Sequence, residues 1–335
     1  MFILYIIYSI IYSHRIKKLK EERYINEQNY LTNLRRKMYK RLSKITHKNI
    51  NNLNTVYVGD YYKLGNFLLA INKVIFYCEI LQCKRILVNK YYSHFIKNKI
   101  YDIKYNLTIE RSTKSKMKKY APVFNWPAPY YTILKILPSN RFDVFKEEIL
   151  RNLPSLSLDI NDLYIHIRNG DVYKHPKYGR YYAQPPLCFY KKVLESKNFN
   201  KAYIIAQESN YPIIKRLISD YKNVIYKKNS FKKDISILIH AYNIVGSISS
   251  FLTCLIKLND NLKYFWEYDI YHKATKINHL HYSISNFTRK YTIYRMPPSK
   301  IYKKKMYIWN RTQEQLDLMI NDTCPNDFEI IKPNA

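Results

Sequence analysis

The chain has 335 residues, 47% of them hydrophobic, and a formal net charge of +32. That length and apolar content suffice for two cores in domains of about 100–150 residues each, and they exclude disorder as the state of most of the chain. The charge fits either a basic surface for polyanions or a compositional bias toward Lys, Asn, Ile and Tyr, whose codons are A/T-rich. The 36 tyrosines against 14 phenylalanines and 5 glycines favour the second reading. The lysines are also scattered rather than gathered into one arm, so the sequence argues against nucleic acid as the partner.

In chain order, residues 1–13 form an apolar run followed by a basic stretch, His14-Arg15-Ile16-Lys17-Lys18. Such a run reads as a targeting or anchor segment, although it is shorter than the roughly 17–25 residues of a bilayer span. A buried N-terminal element is the alternative. Residues 14–54 are charged and read as a basic stem. From residue 55 the pattern alternates. A strand is expected at 55–58, a helix at 64–81 and a strand at 85–89, together a βαβ unit. Residues 90–150 are broken by Pro122, Pro127, Pro129 and Pro138 and give no clear pattern. Beyond residue 150, strands are expected at 162–168, 202–207, 224–227, 243–247 and 264–271. Helices are expected between them at 186–196, 211–221, 231–242 and 250–258. Short apolar strands alternating with helices predict an α/β fold with a parallel, doubly wound sheet, in which ligands bind at the carboxyl ends of strands. The expected domains are 55–150 and 151–275, with a C-terminal extension at 276–335.

Three strand-to-helix turns bear residues suited to an anionic ligand. The first is Tyr164-Ile165-His166-Ile167-Arg168-Asn169-Gly170-Asp171. An Arg where a strand ends aims a guanidinium at the ligand crevice, and His166 shares its strand face. A strand-end ion pair with a core His would give the same pattern. The second is Ser247-Ile248-Ser249-Ser250-Phe251 at a helix start, where hydroxyls and free N–H groups suit a phosphate or cap the helix. The third is Lys63-Leu64-Gly65-Asn66, where glycine permits close approach of a ligand to the backbone. The five cysteines, Cys78, Cys83, Cys188, Cys254 and Cys324, form no CxxC pair. No zinc site is therefore expected, and the odd count fixes no redox compartment. Four Asn-x-Ser/Thr sequons, at Asn106, Asn286, Asn310 and Asn321, are no more than the Asn content would produce.

The segment His166-Ile-Arg-Asn-Gly-Asp171 resembles the His-x-Arg-Arg-x-Asp motif of the α1,2- and α1,6-fucosyltransferases. In the same order, the Leu64-Gly65-Asn66 turn resembles the Leu-Gly-Asn-containing helix start of the α1,2 family. The block Asp234 to Phe251 resembles its late block, an Asp-led helix followed by a Ser-Ser/Thr-Phe turn. These islands lie within residues 55–270. The resemblance implies a GT-B fold of two Rossmann-like domains facing a cleft, and transfer of fucose from GDP-fucose to a glycan or protein hydroxyl. It implies inversion at the anomeric carbon with no metal or other cofactor. The apolar run at 1–13 adds the expectation of a single-pass membrane anchor in the secretory pathway (ER or Golgi). Carried over by position, Arg168 would bind the diphosphate, His166 and Asp234 the guanosine, and Ser249 and Ser250 phosphate, with Gly65 and Asn66 on the donor side. The chain contains no Asp-x-Asp triplet.

Asn169 departs from the pattern, standing where the motif has its second Arg. After Asp171 the next carboxylate is Glu195, so the general base falls to Asp171 or His175. Residues 175–186 read either as a loop of stacking aromatics over the site or as a rigid connection into the next helix. Two other classes fit parts of the sequence: a nucleic-acid-binding protein, and a degenerate transferase fold that binds nucleotide without turnover.

Overall fold

The computed structural model describes residues 143–170, 183–270 and 290–333, the strands and turns at 55–58, 82–89, 99–102 and 106–112, and isolated helical positions at Tyr173 and before residue 80. The apolar run at 1–13 lies outside the described residues. Among the described residues no helix is long and apolar enough to cross a membrane. The chain divides into two compact units, one formed by Met1–Asp60 and Ala70–Arg141, the other by Tyr61–Leu69 and Phe142–Ala335.

The first unit contains β1 (Thr55–Tyr57), β2 (Arg85–Asn89), β3 (Lys99–Asp102) and β4 (Leu107–Ser112), ordered β1-β2-β4-β3. Strands β1, β2 and β4 are parallel. Parallel pairing of β1 with β2 requires a crossover, and the buried helical positions Ile71, Val74, Ile75 and Cys78 lie in it. Strand β3 is antiparallel to β4, and the turn before β4 holds Asn106 at a φ of 47°. Asn is among the few residues that accept this left-handed backbone. This hairpin lies in the stretch whose sequence gives no clear pattern.

The second unit is built on one seven-stranded sheet. Its strands are β5 (Leu163–His166), β6 (Ala202–Ile205), β7 (Val224–Tyr226), β8 (Asn243–Gly246), β9 (Tyr264–Tyr268), β10 (Thr292–Met296) and β11 (Glu329–Ile331). The order across the sheet is β11-β10-β9-β8-β5-β6-β7. All neighbours are parallel except β11, which pairs antiparallel with β10. Counted from β5, the six parallel strands stand in the order 3-2-1-4-5-6, that of a dinucleotide-binding α/β sheet. The expected α/β class and parallel sheet are therefore present. Residues 276–335, read from sequence as an extension, supply β10 and β11 to this same sheet.

The helices are α1 (Asp143–Arg151), α2 (Leu187–Ser196), α3 (Pro212–Asp220), α4 (Phe231–His240), α5 (Ser250–Leu258), α6 (Lys300–Met306) and α7 (Gln313–Asn321). Their starts follow local chemistry. Pro212 opens α3, where its missing N–H costs nothing. Ser230 and Ser249 cap α4 and α5, and Thr312 with Gln315 forms a capping box on α7. Helices α2, α3, α6 and α7 cover one sheet face, burying Phe189, Tyr190, Ile213, Tyr302 and Met319 against Ile165, Val245 and Trp266. Helices α4 and α5 cover the other face, where Leu252 and Phe265 close around Gly246. A Cβ on Gly246 would lie 2.6 Å from the Phe265 ring of β9 and 3.0 Å from Leu252 Cδ2 of α5, so this point of β8 has room only for glycine.

Two asparagines set the depth of the central strands. Asn243 Nδ2 donates to the carbonyls of Ile160 at 2.7 Å and Asp162 at 2.9 Å, tying the start of β8 to the start of β5. Asn259 Nδ2 donates to Leu238 O and Ala241 O, while its Oδ1 accepts from the N–H groups of Asn261 and Leu262. Both side chains are buried and satisfy backbone groups that the turns leave open. A disulfide joins Cys188 in α2 to Cys324 beyond α7, 136 residues apart in sequence. It anchors the last helix of the chain to the first helix of this sheet.

Candidate functional site

In a sheet of this order the chain reverses direction between β5 and β8, and a crevice opens outside their carboxyl ends. The sequence places Arg168 and Ser247 there, just beyond the two strands. The Ser247 hydroxyl accepts from the backbone N–H of Arg168 at 2.8 Å and lies 3.2 Å from Nδ1 of His166. One hydroxyl therefore bridges the ends of β5 and β8 and holds the His166 ring. Ser247 lies inside the Ser-rich turn 247–251, where the resemblance points to Ser249 and Ser250 instead. Its position directly after β8, level with the end of β5, is the signal that would have found it.

His166 is buried, and its ring packs 5.9 Å from that of Phe251 in the first turn of α5. Burial, and next the nearby Arg168 charge, hold its pKa down to about 3. The imidazole is thus neutral at physiological pH. It serves as a hydrogen-bonding group and not as a cation or a general base.

The Arg168 guanidinium lies 3.3 Å from Oε1 of Gln207, the second residue past β6, and donates to it through Nη1. Asn169 has a different task. It is 2% exposed, its Nδ2 donates to Glu208 O at 2.6 Å, and its Oδ1 accepts from the Gln207 N–H at 3.1 Å. The side chain in place of a second Arg is committed to backbone groups and binds the β5 and β6 loops together. Gly170 follows with a φ of +74°, and a Cβ there would meet Gln207 Oε1 at 2.2 Å. The sharp turn after Arg168 thus needs glycine for its backbone and for the space. Tyr173 then packs edge-on against Tyr211 at 4.6 Å, with the Arg311 guanidinium 5.0 Å from its ring.

Ser249 is the N-cap of α5. Its hydroxyl accepts from the Leu252 N–H at 3.4 Å, and its carbonyl accepts from the Thr253 hydroxyl. Ser250 is the first residue of α5. Gly65 is buried, and its carbonyl accepts from the Cys254 thiol at 3.5 Å, so the Gly65 turn lies against α5. Asp234 stands in the first turn of α4, where Asn229 Nδ2 donates to its Oδ1 at 3.1 Å. Burial raises its pKa against the opposing pull of Asn229 and Lys233. Asn66, Asp171 and His175 lie outside the described residues.

A further ionic group lies on this edge, formed by residues that share no motif. Register aligns Gly246 with Glu267 and Glu267 with Arg295. Arg295 Nε donates to Glu267 Oε1 at 2.6 Å, with Asp269 3.8 Å from the same nitrogen. Residues distant in sequence and with no shared motif formed it, so only strand register could bring them together. Among the described residues, the one cluster of metal-type ligands is Cys188, Asp322 and Cys324. Its two cysteines are bonded to each other and offer no thiolate.

No family model and no curated protein matches the chain in sequence. Solved structures that resemble it in part include the NodZ α-1,6-fucosyltransferase soaked with GDP-fucose, at 9% identity and a TM-score of 0.35 over 62% of this chain and 92% of that one. The same enzyme co-crystallised with GDP gives 10% identity and a TM-score of 0.34 over the same shares. Fucosyltransferase NodZ from Bradyrhizobium gives 11% identity and a TM-score of 0.35 over 62% of this chain and 96% of that one. Superpositions this loose do not bear on the fold, which rests on the strand order.

Proposed function

We propose that this chain is a glycosyltransferase that binds a nucleotide sugar at the carboxyl ends of β5 and β8. The observation that supports it most is the placement of Arg168, His166 and Ser247 together at the point where the strand order reverses. Such a crevice is where α/β sheets of this order take nucleotides, and the resemblance of the β5 motif to the fucosyltransferase motif names the donor as GDP-fucose. Fold alone does not assign a function; here the reading rests on the site's residues.

Transfer breaks the bond between the sugar's anomeric carbon and the β-phosphate oxygen. Negative charge grows on the departing diphosphate. The Arg168 guanidinium and the N–H groups opening α5 are suited to that charge, and on this reading no metal ion is needed. A neutral His166 and the carboxylate of Asp234 meet the guanosine, Ser249 and Ser250 border the phosphates, and Gly65 and Asn66 flank the donor. Asp171 or His175 takes the proton from an acceptor hydroxyl on a glycan or protein, and attack from the opposite face inverts the anomeric carbon. We place the chain in the secretory pathway, with its apolar N-terminal run at a membrane. A long-range disulfide of this kind is kept in oxidising compartments.

A thermal-shift series with GDP-, UDP- and CMP-sugars tests the donor class, because a ligand of the native state raises its stability. Stabilisation by GDP and GDP-fucose alone is expected. Arg168→Ala is expected to lower turnover at least ~100-fold, the scale of one lost charge-stabilising donor. Turnover close to that of the parent would overturn the assignment. Activity should also survive EDTA.

A further inference from the structure

Three residues past Gly170, the half-buried Tyr173 is gripped by side chains from far along the chain. Tyr211, the N-cap of α3, meets its ring edge-on at 4.6 Å. Trp309 lies roughly parallel to it at 6.2 Å and 24°. The Arg311 guanidinium stands 5.0 Å from the ring centre, within the range of a cation–π contact. Tyr211 is tied back in turn, its hydroxyl donating to Met319 Sδ in α7 at 3.8 Å. The C-terminal segment, distant from the β5 motif in sequence, therefore closes on the loop that leaves it.

The turn that carries Trp309 and Arg311 is held with unusual care. Arg311 has a φ of 58°, a left-handed backbone that few residues other than glycine, asparagine and aspartate accept. Buried Gln315 keeps it there. Its Nε2 donates to Lys305 O and Ile308 O, both at 2.8 Å. Its Oε1 accepts from the N–H groups of Asn310 at 2.9 Å and Thr312 at 3.4 Å. One side chain thus pins the residues on both sides of Arg311. Backbone strain that the surroundings over-determine points toward function, and the contact that Arg311 makes is with Tyr173.

The two candidates for the general base flank Tyr173: Asp171 stands two residues before it and His175 two after. Two residues of chain span at most about 7 Å, so fixing Tyr173 limits where either group can stand. The donor side is held separately, since Arg168 and Asn169 bond to Ser247, Gln207 and Glu208. We propose that Tyr173 is a positioning residue: clamped by Tyr211, Trp309 and Arg311, its ring sets the reach of the general base toward the acceptor hydroxyl. This rests on the proposed reading of the chain as a glycosyltransferase, and it gives the C-terminal segment a part in turnover. Loss of the ring slows transfer and leaves nucleotide affinity as it was.

The test follows GDP release from GDP-fucose, with water as the acceptor, and calorimetric titration of GDP. Both are measured on the full chain and its Tyr173→Phe, Tyr173→Ala and Arg311→Ala variants. Tyr173→Ala is expected to lower turnover roughly 10- to 100-fold, the scale of a catalytic group misplaced by about 1 Å, with GDP affinity within about 3-fold of the parent. Tyr173→Phe keeps the ring and its packing and should keep turnover within about 3-fold. Arg311→Ala changes only an exposed side chain and should slow turnover about 3-fold or more; it decides the matter if Tyr173→Ala does not fold. Parent-like turnover in Tyr173→Ala, or failing that variant in Arg311→Ala, overturns the positioning role and leaves the donor site standing. GDP affinity that falls in step with turnover also overturns it, since the ring would then be shaping the site as a whole. So does a Tyr173→Phe variant as slow as Tyr173→Ala, because the hydroxyl and not the clamped ring would then matter. A parent that binds GDP but releases none from GDP-fucose fails the transferase reading, and the positioning role with it.

Discussion

His166 should make the stability of the second unit fall steeply on mild acidification. Its ring is buried, and its pKa is held down to about 3. In the unfolded chain the ring returns to about 6.5. Between those values the unfolded state binds a proton that the folded state refuses, so unfolding becomes easier as pH falls. The sign follows directly: the stabilisation is complete above the unfolded value and is lost as pH drops toward the folded one. From pH 7.5 to pH 5 the linkage integral gives a loss of about 2 kcal/mol. At pH 5 the result depends almost wholly on the unfolded pKa, so a folded value of 4 would change it little.

Urea unfolding at the two pH values measures this, in a chain carrying Trp126→Phe so that fluorescence comes from Trp266 and Trp309 of the second unit. The same pair of curves on His166→Asn removes the titrating group. Other carboxylates and histidines contribute equally to both proteins and cancel in the difference. The parent should lose about 2 kcal/mol more than the variant over this interval. Equal losses would refute a neutral, buried His166, and with it the proposal that a neutral ring meets the guanosine.

Asn169→Arg restores the residue of the resembled motif, yet it should destabilise by about 2 kcal/mol, because two backbone groups of the β6 loop lose a buried partner; chemical denaturation would show it. Gly170→Ala should cost about 1–2 kcal/mol for a left-handed alanine, with Gln207 displaced from Arg168, visible as a lower thermal midpoint. Reduction of Cys188–Cys324, or replacement of both by Ser, should cost up to about 5 kcal/mol by the chain-entropy relation for so long a loop, read as a drop in urea midpoint. An unchanged midpoint on reduction would mean the C-terminal helices hold without their covalent tie.

Much of the second unit is legible because its strands are short apolar runs bounded by capping residues. The spacing predicts a helix over 250–258, and α5 spans Ser250–Leu258, since Ser249 announces its start. Strand ends are less legible: β5 stops at His166 and not at residue 168, because past it Arg168 turns its N–H to Ser247 in place of a ladder partner. Strands β10 and β11 escape notice since Tyr294 and Arg295 interrupt the apolar pattern, and a partner far upstream, Glu267, is what accommodates the charge. At the site, the motif points to Arg168, whereas the roles of Asn169 and Ser247 emerge only from neighbours about 40 and 80 residues away. The pairing of Cys188 with Cys324 is likewise set by where α2 and α7 meet, and a count of cysteines holds no such information.

The strand order has a consequence for how the chain leaves the ribosome. Strands β5 to β9 emerge with all their mutual partners, but β9 then waits for β10, which begins 24 residues after β9 ends, at Thr292 against Tyr268. Until then Tyr264, Trp266 and Tyr268 lie along an open edge. At about 5–20 residues per second that interval lasts at least a second or more. A nascent chain with an unpaired strand edge is apt to join a neighbour's sheet, so slower synthesis across residues 269–296 lengthens the time for which β9 is open to such pairing.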